Sequence, residues 1–463
     1  MAALRNASST MSLASRHRRW LEWSSASANR RIFAASAVIG SLSLLTLVAG
    51  ILKDMVVANH FGRGDDIEAF LVAFMLPAFA TTVVAGSLNA TLIPTVVQVA
   101  AREGDAAATR VFSSAALCAL GLLFATSVVL AAIFPLALPW IAVNFDPDKR
   151  ALTRSLFHLL LPTIAVSGIA TVWSGMLNAG RRFAVAAAAP LLVPAVTIVS
   201  LLAFARYWGV EALVAGTVAG MIAQCVLLAI ALRGRGLPVL PRWHGMSPPL
   251  RSAIRQFLPM GAGAILMGGT GLVDQAMAAM LDPGSVAALN YGGKLASAMV
   301  GLGATALGTA LLPHFSHMIA TGDLGPLRHS IATWSRLVFL TSLGATVLFV
   351  ALSEPLVRLV FERGAFSRED TRVVALVQTF YLLQVPFYLL GIIHVRAISA
   401  LQRNSILMWG AVISLSLNIV MNLILMRLLG VAGIALSTAI VYLVAWIYLR
   451  WNVGRCLSRP KTP

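Results

Sequence analysis

A few ionisable side chains sit where apolar sequence surrounds them, and they are the residues that could do chemistry. Lys53 and Asp54 fall near the end of one apolar run, Asp274 near the end of another, and Lys294 about 13 Å into a third at roughly 1.5 Å per helical residue. Glu68 opens a fourth such run. Charges inside membrane segments are costly and usually face a partner or a hydrated cavity. Two lysines at similar depth suit an anionic group such as a phosphate or pyrophosphate. The competing reading is structural: Lys53 and Asp54 can snorkel to an interface, Lys294 can bridge to Asp274, and Asp54 and Glu68 can serve to orient a lysine.

A second polar set lies later in the chain. Asn418 and Asn422 are four apart and so share a helix face, Thr438 is on the next segment, and Asp274 can complete the group. Such oxygens could hold a sodium ion, or the side chains could bond to one another between helices. No hydrolase triad, nucleotide-binding loop or metal motif is present, and Cys118, Cys225 and Cys456 lack metal or redox spacing. His314 and His317 have helical spacing but no third ligand. The chain reads as a non-enzyme with no cofactor beyond sodium or coupling to the membrane potential.

The elements that position these residues follow from composition. Of 463 residues, 59% are hydrophobic and 11% charged, against about 25% charged in soluble proteins. Apolar runs of about 20 residues recur, each long enough to cross a bilayer as a helix. Twelve are expected, near residues 32–59, 67–100, 110–143, 151–179, 183–206, 210–233, 251–280, 285–318, 330–361, 372–402, 405–427 and 431–452. Pro135, Pro139 and Pro355 are expected to break or shorten the third and ninth. The fold class is an all-α polytopic membrane protein.

Residues 233–251, rich in Pro, Gly and Arg, have no helical period and divide the helices into two sets of six. The expected organisation is a basic tail (1–31), a six-helix bundle (32–233), a linker (234–250), a second six-helix bundle (251–453) and a short tail (454–463). The bundles resemble each other: GVEALVAGT at 209–217 parallels GVAGIALST at 430–438, LNATLIP at 88–94 parallels LGTALLP at 307–313, and Asp54 parallels Asp274, all at offsets of about 220 residues. Six is even, so the halves are parallel repeats with a site expected between them. The net charge of +18 fits basic cytoplasmic loops rather than nucleic-acid binding. Positive-inside bias puts both termini in the cytoplasm, although Arg358, Arg363, Arg368 and Arg372 run against it.

Four stretches carry a family resemblance: LKDMVVANHFGRGDDIEAFLVAFMLP (52–77), MLNAGRRFAVAAAAPLLVP (176–194), DPGSVAALNYGGKLASAMVGLGATALGTALLP (282–313) and FERGAFSREDT (361–371). The sequence resembles the MurJ/MviN family of lipid II flippases, within the superfamily that also holds oligosaccharide flippases and multidrug antiporters. The resemblance implies a V-shaped, alternating-access pair of bundles that moves undecaprenyl-pyrophosphate-linked glycans through the membrane lipid, with glycan synthases or polymerases as neighbours. Lys53, Asp54, Glu68 and Lys294 would then contact substrate. Asp274, Asn418, Asn422, Thr438 and the backbone of Ile434 would form a sodium site.

The sequence departs from the family pattern. A helix 2 arginine pair is replaced near Ala80, Thr81 and Thr82, two cavity arginines are lysines, a carboxylate is the amide Asn422, and the chain ends soon after the twelfth helix. A flippase for an exopolysaccharide, capsule or O-antigen unit is therefore the alternative expectation. A multidrug antiporter or a membrane scaffold is more remote, since cationic drugs would want an acidic pocket and a scaffold would be indifferent to cavity charge.

Overall fold

The computed structural model describes residues 28–179, 183–234, 236–237, 239–320 and 324–458. Most of the expected N-terminal tail and the last five residues lie outside the described residues. Among the described residues, twelve helices are long and apolar enough to cross a membrane: α1 (Gly40–Phe61), α2 (Asp65–Glu103), α3 (Asp105–Ile141), α4 (Pro147–Asn178), α5 (Phe183–Trp208), α6 (Glu211–Arg233), α7 (Pro248–Ala278), α8 (Ser285–Ile319), α9 (Gly325–Ala351), α10 (Arg368–Ala400), α11 (Asn404–Leu429) and α12 (Val431–Ser458). The chain is a multi-pass helical membrane protein, with no strand among its described residues.

Several boundaries differ from the sequence reading for local reasons. Contrary to expectation, α3 passes through Pro135 and Pro139 without a break. In a membrane, neighbouring helices and local adjustments can re-satisfy the carbonyls that proline frees. The ninth helix does end early: after Ala351 a separate helix, Ser353–Phe361, carries Pro355 in its first turn. The linker is shorter than expected because α7 already begins at Pro248, where the Ser247 side chain caps the helix and proline occupies its first position. At its other end the second bundle runs on to Ser458.

The duplication is visible in the turns. Gly62, between α1 and α2, and Gly284, between α7 and α8, both have positive φ. So do Gly209, between α5 and α6, and Gly430, between α11 and α12, at 54° and 58°. That region is open to glycine at little cost and strained for other L-residues. Pro94 in α2 and Pro313 in α8 complete the correspondence.

We call the end of the molecule bearing the α1–α2 turn distal and the end bearing the linker proximal. At the distal end one large core cluster takes residues from both halves, among them Val57, Ile67, Phe157 and Leu213 from the first and Val286, Tyr291, Phe366 and Ile434 from the second. Polar contacts stitch the same region. Arg63 Nε donates to Asp370 Oδ1 at 2.6 Å, Ala365 N to Asn59 O at 2.9 Å, Tyr291 Oη to Gly62 O at 3.2 Å and Asn144 Nδ2 to Met280 O at 2.7 Å. Gly62 and Gly364 permit this junction, because a Cβ on either would run into the backbone of the opposite half.

One helix belongs to both halves. Near its proximal end α7 packs on the first bundle, with Leu250 among Leu92, Val96 and Phe112 and Phe257 against Val84 and Leu123. Near its distal end it lies on the second, where Asp274 meets α11 and α12.

Candidate functional site

The expected depth match between charges on α1 and α8 is realised as a single contact. Asp54 is buried and accepts from two ammonium groups, Lys53 Nζ at 2.9 Å on one oxygen and Lys294 Nζ at 2.9 Å on the other. Lys294 therefore pairs with Asp54 and not with Asp274, the bridge weighed as an alternative. The carboxylate is enclosed, but the lysine side chains remain 30% and 37% exposed. Three charges sum to one positive charge on a surface contributed by both halves. Lysine supplies it as a compact charge with three donors, only some of which the carboxylate uses.

Glu68 does not join this group, and here the structure corrects the expectation of a substrate contact. Its residue is 1% exposed. One carboxylate oxygen accepts from Lys149 Nζ at 2.7 Å and the other from the backbone N of Val286 at 2.7 Å. Val286 lies in the first turn of α8, so a residue of the first half satisfies a free N–H at the start of a helix in the second and complements that helix's dipole. Lys149 in turn bonds Asp65 at 2.6 Å and lies over the Phe145 ring at 4.1 Å. Glu68 is thus a joint between the halves.

The second polar set assembles as its spacing suggested. Asp274 is buried and takes hydrogen bonds from Asn418 Nδ2 at 2.9 Å and Asn422 Nδ2 at 2.7 Å on one oxygen. Thr438 Oγ1 reaches the other at 2.9 Å, and the same hydroxyl lies 3.1 Å from the Ile434 carbonyl. Both asparagines are fully buried, yet their Oδ1 atoms have no hydrogen-bond partner. Two orphaned acceptors beside a buried carboxylate suit a hard cation. Among the described residues no cluster of three His, Cys, Asp or Glu offers any other metal site.

Sequence reasoning missed four residues. Lys149 lies in the first turn of α4, just before the expected span of 151–179. The Arg63–Asp370 pair joins residues 307 apart, which one sequence cannot show. Arg396, four residues before the end of α10, falls inside the expected span of 372–402 without being singled out. Its guanidinium lies against Gly308 of α8, 2.7 Å from where a Cβ would stand, and its Nε has no partner. In the stretch where the family's helix 2 arginines would fall, Thr81 bonds the Pro77 carbonyl and approaches Ser167, and Ala80 is buried.

Two lysines thus converge on one carboxylate between two parallel halves. The profile described as lipid II flippase MurJ matches residues 57–461. The chain belongs to the MurJ family. It is 27% identical over 416 residues to a probable lipid II flippase MurJ of Rhizobium meliloti (strain 1021), covering 86% of this chain and 76% of that one. It is also 27% identical over 407 residues to a probable lipid II flippase MurJ of Thermotoga maritima, covering 87% and 81%. Its fold is similar to that of the lipid II flippase MurJ in an inward closed conformation, at a TM-score of 0.77 and 19% identity over 90% of this chain and 87% of that one. An inward-facing multidrug resistance MATE family transporter of the MOP superfamily is similar at 0.72 and 14% identity, over 91% and 98%. MurJ is a family of flippases, not of catalysts.

Within this MurJ-family framework the two kinds of charge separate by experiment. Removing one partner of a buried ion pair costs about 3–5 kcal/mol, so Lys149→Met and Glu68→Ala should each lower the melting temperature of the purified protein sharply. Lys53→Ala, at an exposed ammonium, should leave it nearly unchanged. Equal melting of all three would remove the distinction.

Proposed function

We propose that this protein moves a polyprenyl-pyrophosphate-linked glycan, lipid II first among them, from the cytoplasmic to the outer leaflet of the bacterial inner membrane by alternating access. The observation that carries this reading is the meeting of Lys53 and Lys294, one from each half, on Asp54. Positive-inside bias makes the proximal end cytoplasmic. The distal junction then closes the outer side, and the exposed lysines are reached from the cytoplasm. The pyrophosphate competes with Asp54 for the two ammonium groups, the sugar occupies the hydrated space between the bundles, and the polyprenyl chain stays in lipid. Release outside requires the distal contacts around Arg63, Asp370 and Glu68 to part.

A second reading, a dedicated flippase for another lipid-linked surface glycan, is favoured by one feature. Ala80, Thr81 and Thr82 bring no charge to the part of α2 where the family pattern has an arginine pair. A cation-exporting drug antiporter is disfavoured by the positive balance at Asp54.

Sodium is the coupling ion this reading favours. Asp274, Asn418, Asn422, Thr438 and the Ile434 carbonyl would hold it, and the ion would supply the positive charge that the buried carboxylate lacks. Turning either asparagine amide about its last torsion exchanges its nitrogen for the orphaned oxygen, so the same side chains can present oxygen where they now present N–H.

Expressed in a strain depleted of its own lipid II flippase, the wild-type protein is expected to restore growth. Lys53→Ala and Lys294→Ala should fail with normal membrane levels, while Lys294→Arg, which keeps the charge, should restore function at least in part. Growth supported by both alanine variants would refute the assignment of the lysines. Failure of the wild type itself would shift the substrate to another glycan. For the ion, the melting temperature should rise as NaCl replaces choline chloride at constant ionic strength, because a ligand that binds only the folded state stabilises it. The rise should vanish in Asp274→Asn. No difference between the salts in wild type would dismiss the sodium site.

A further inference from the structure

The linker between the halves covers a pair of adjoining cavities that transport does not use. The first is a cup of about 430 Å³ lined by Thr109, Arg110 and Ser113 of α3, Arg233 at the end of α6, and Arg242 and His244 of the linker, with Val239 and Leu240 at its edge. The second is an apolar slot of about 170 Å³ between Ala116, Ala119, Leu120 and Leu123 of α3 and Ile169, Val172 and Trp173 of α4, roofed by the same Val239 and Leu240. The two share that roof and one face of α3. From Thr109 to Leu123 this face spans about 21 Å at roughly 1.5 Å per residue and changes from basic and hydroxylic to wholly apolar.

The cup is fixed in place. Ser113, buried in α3, accepts from the backbone N of Arg242 at 2.6 Å and donates to the Arg242 carbonyl at 2.9 Å. Ser114 accepts from His244 N at 3.0 Å. The linker is therefore pinned to α3 by two adjacent serines, which set two of the cup's basic residues beside Arg110. None of the three arginines forms an ion pair with a carboxylate among the described residues. Trp243 and Leu240 stay exposed beside the cup, as apolar and aromatic side chains do at the level of lipid headgroups.

We infer that this is a binding site for an anionic phospholipid of the proximal leaflet, its phosphate in the arginine cup and one acyl chain in the slot. Basic pockets between membrane helices on the cytoplasmic side recognise anionic headgroups in this way, and arginine matches phosphate oxygens in pairs. The small side chains Ala116 and Ala119 leave the room that the chain takes up. Lipid seated here fastens the linker and the α3–α4 pair to the membrane surface, independently of what the lysine site carries.

The test is binding of phosphatidylglycerol to the purified full-length protein in detergent, with phosphatidylcholine as the neutral comparison. Phosphatidylglycerol should bind more tightly than phosphatidylcholine. Arg110→Gln with Arg242→Gln should weaken it by roughly 10–30-fold, on the scale of about 1 kcal/mol per basic residue removed. Ala119→Phe, which fills the slot, should weaken it without touching a charge. Arg255→Gln, outside the cup, and Lys53→Ala, in the central site, should not. Glycerophosphoglycerol, the headgroup without chains, should fail to displace the lipid. Equal binding of the two lipids, indifference to the cup and slot variants in protein of unchanged melting temperature, displacement by the chainless headgroup, or loss of binding in Lys53→Ala would each overturn the inference.

Discussion

A carboxylate inside a membrane protein has to be neutralised where it stands, and Asp54 is neutralised from both sides. Lys53, its neighbour on α1, takes one oxygen and Lys294, from α8, takes the other. Withdrawing Lys294 would leave a mostly buried carboxylate with Lys53 alone, and because both ammonium groups are reached by solvent the loss is screened. The halves meet here, and in the proposed transport an arriving pyrophosphate would replace this contact, because it offers both lysines more acceptor oxygens than one carboxylate does. Around it the distal junction is built from three further contacts: the Arg63–Asp370 pair, the loop seated by Gly364 on Asn59, and Glu68 on the start of α8.

The internal duplication gives Asp54 a counterpart in Asp274, and the two are finished differently. Asp54 has two cations and a surplus of positive charge. Asp274 has two amides and a hydroxyl, none charged, and two buried oxygens nearby that nothing satisfies. On the proposed reading, one position of the repeat suits an anion and the other a cation. α7 carries Asp274 at one end and packs into the opposite bundle at the other, so occupancy of the second site bears on a helix that both halves share. Gly268 and Gly269 let that helix lie close to Phe79 of α2 and Leu415 of α11, which stand 3.2 and 3.4 Å from where a Cβ would sit.

Apolar run length and turn residues made the twelve spans and the two-fold organisation legible in the sequence, since the bilayer imposes helix and length together. Depth along the helices also brought Lys53, Asp54 and Lys294 to one level, and four-residue spacing put Asn418 and Asn422 on one face. What depth cannot give is azimuth. Glu68 stands at a suitable level but points into the α8 helix start, and Lys294 turns to Asp54 where Asp274 was an equal choice on paper. Lys149 and Arg396 escaped because charges near helix ends are ordinary, and only packing shows which of them are enclosed. The break after Ala351 and the unbroken α3 show the same limit for proline: its effect depends on the neighbours that receive the freed carbonyl.

The central claim is that filling the lysine site opens the distal junction. Spin labels at Asp66→Cys and Glu369→Cys, both exposed on opposite halves of that junction, would report the distance across it in liposomes, with Cys118, Cys225 and Cys456 replaced. Lipid II should shift the distribution to longer distances in protein carrying Lys53 and Lys294 and leave it unchanged in Lys294→Ala. A distance indifferent to lipid II in both proteins, or a shift that survives Lys294→Ala in full, would contradict the account.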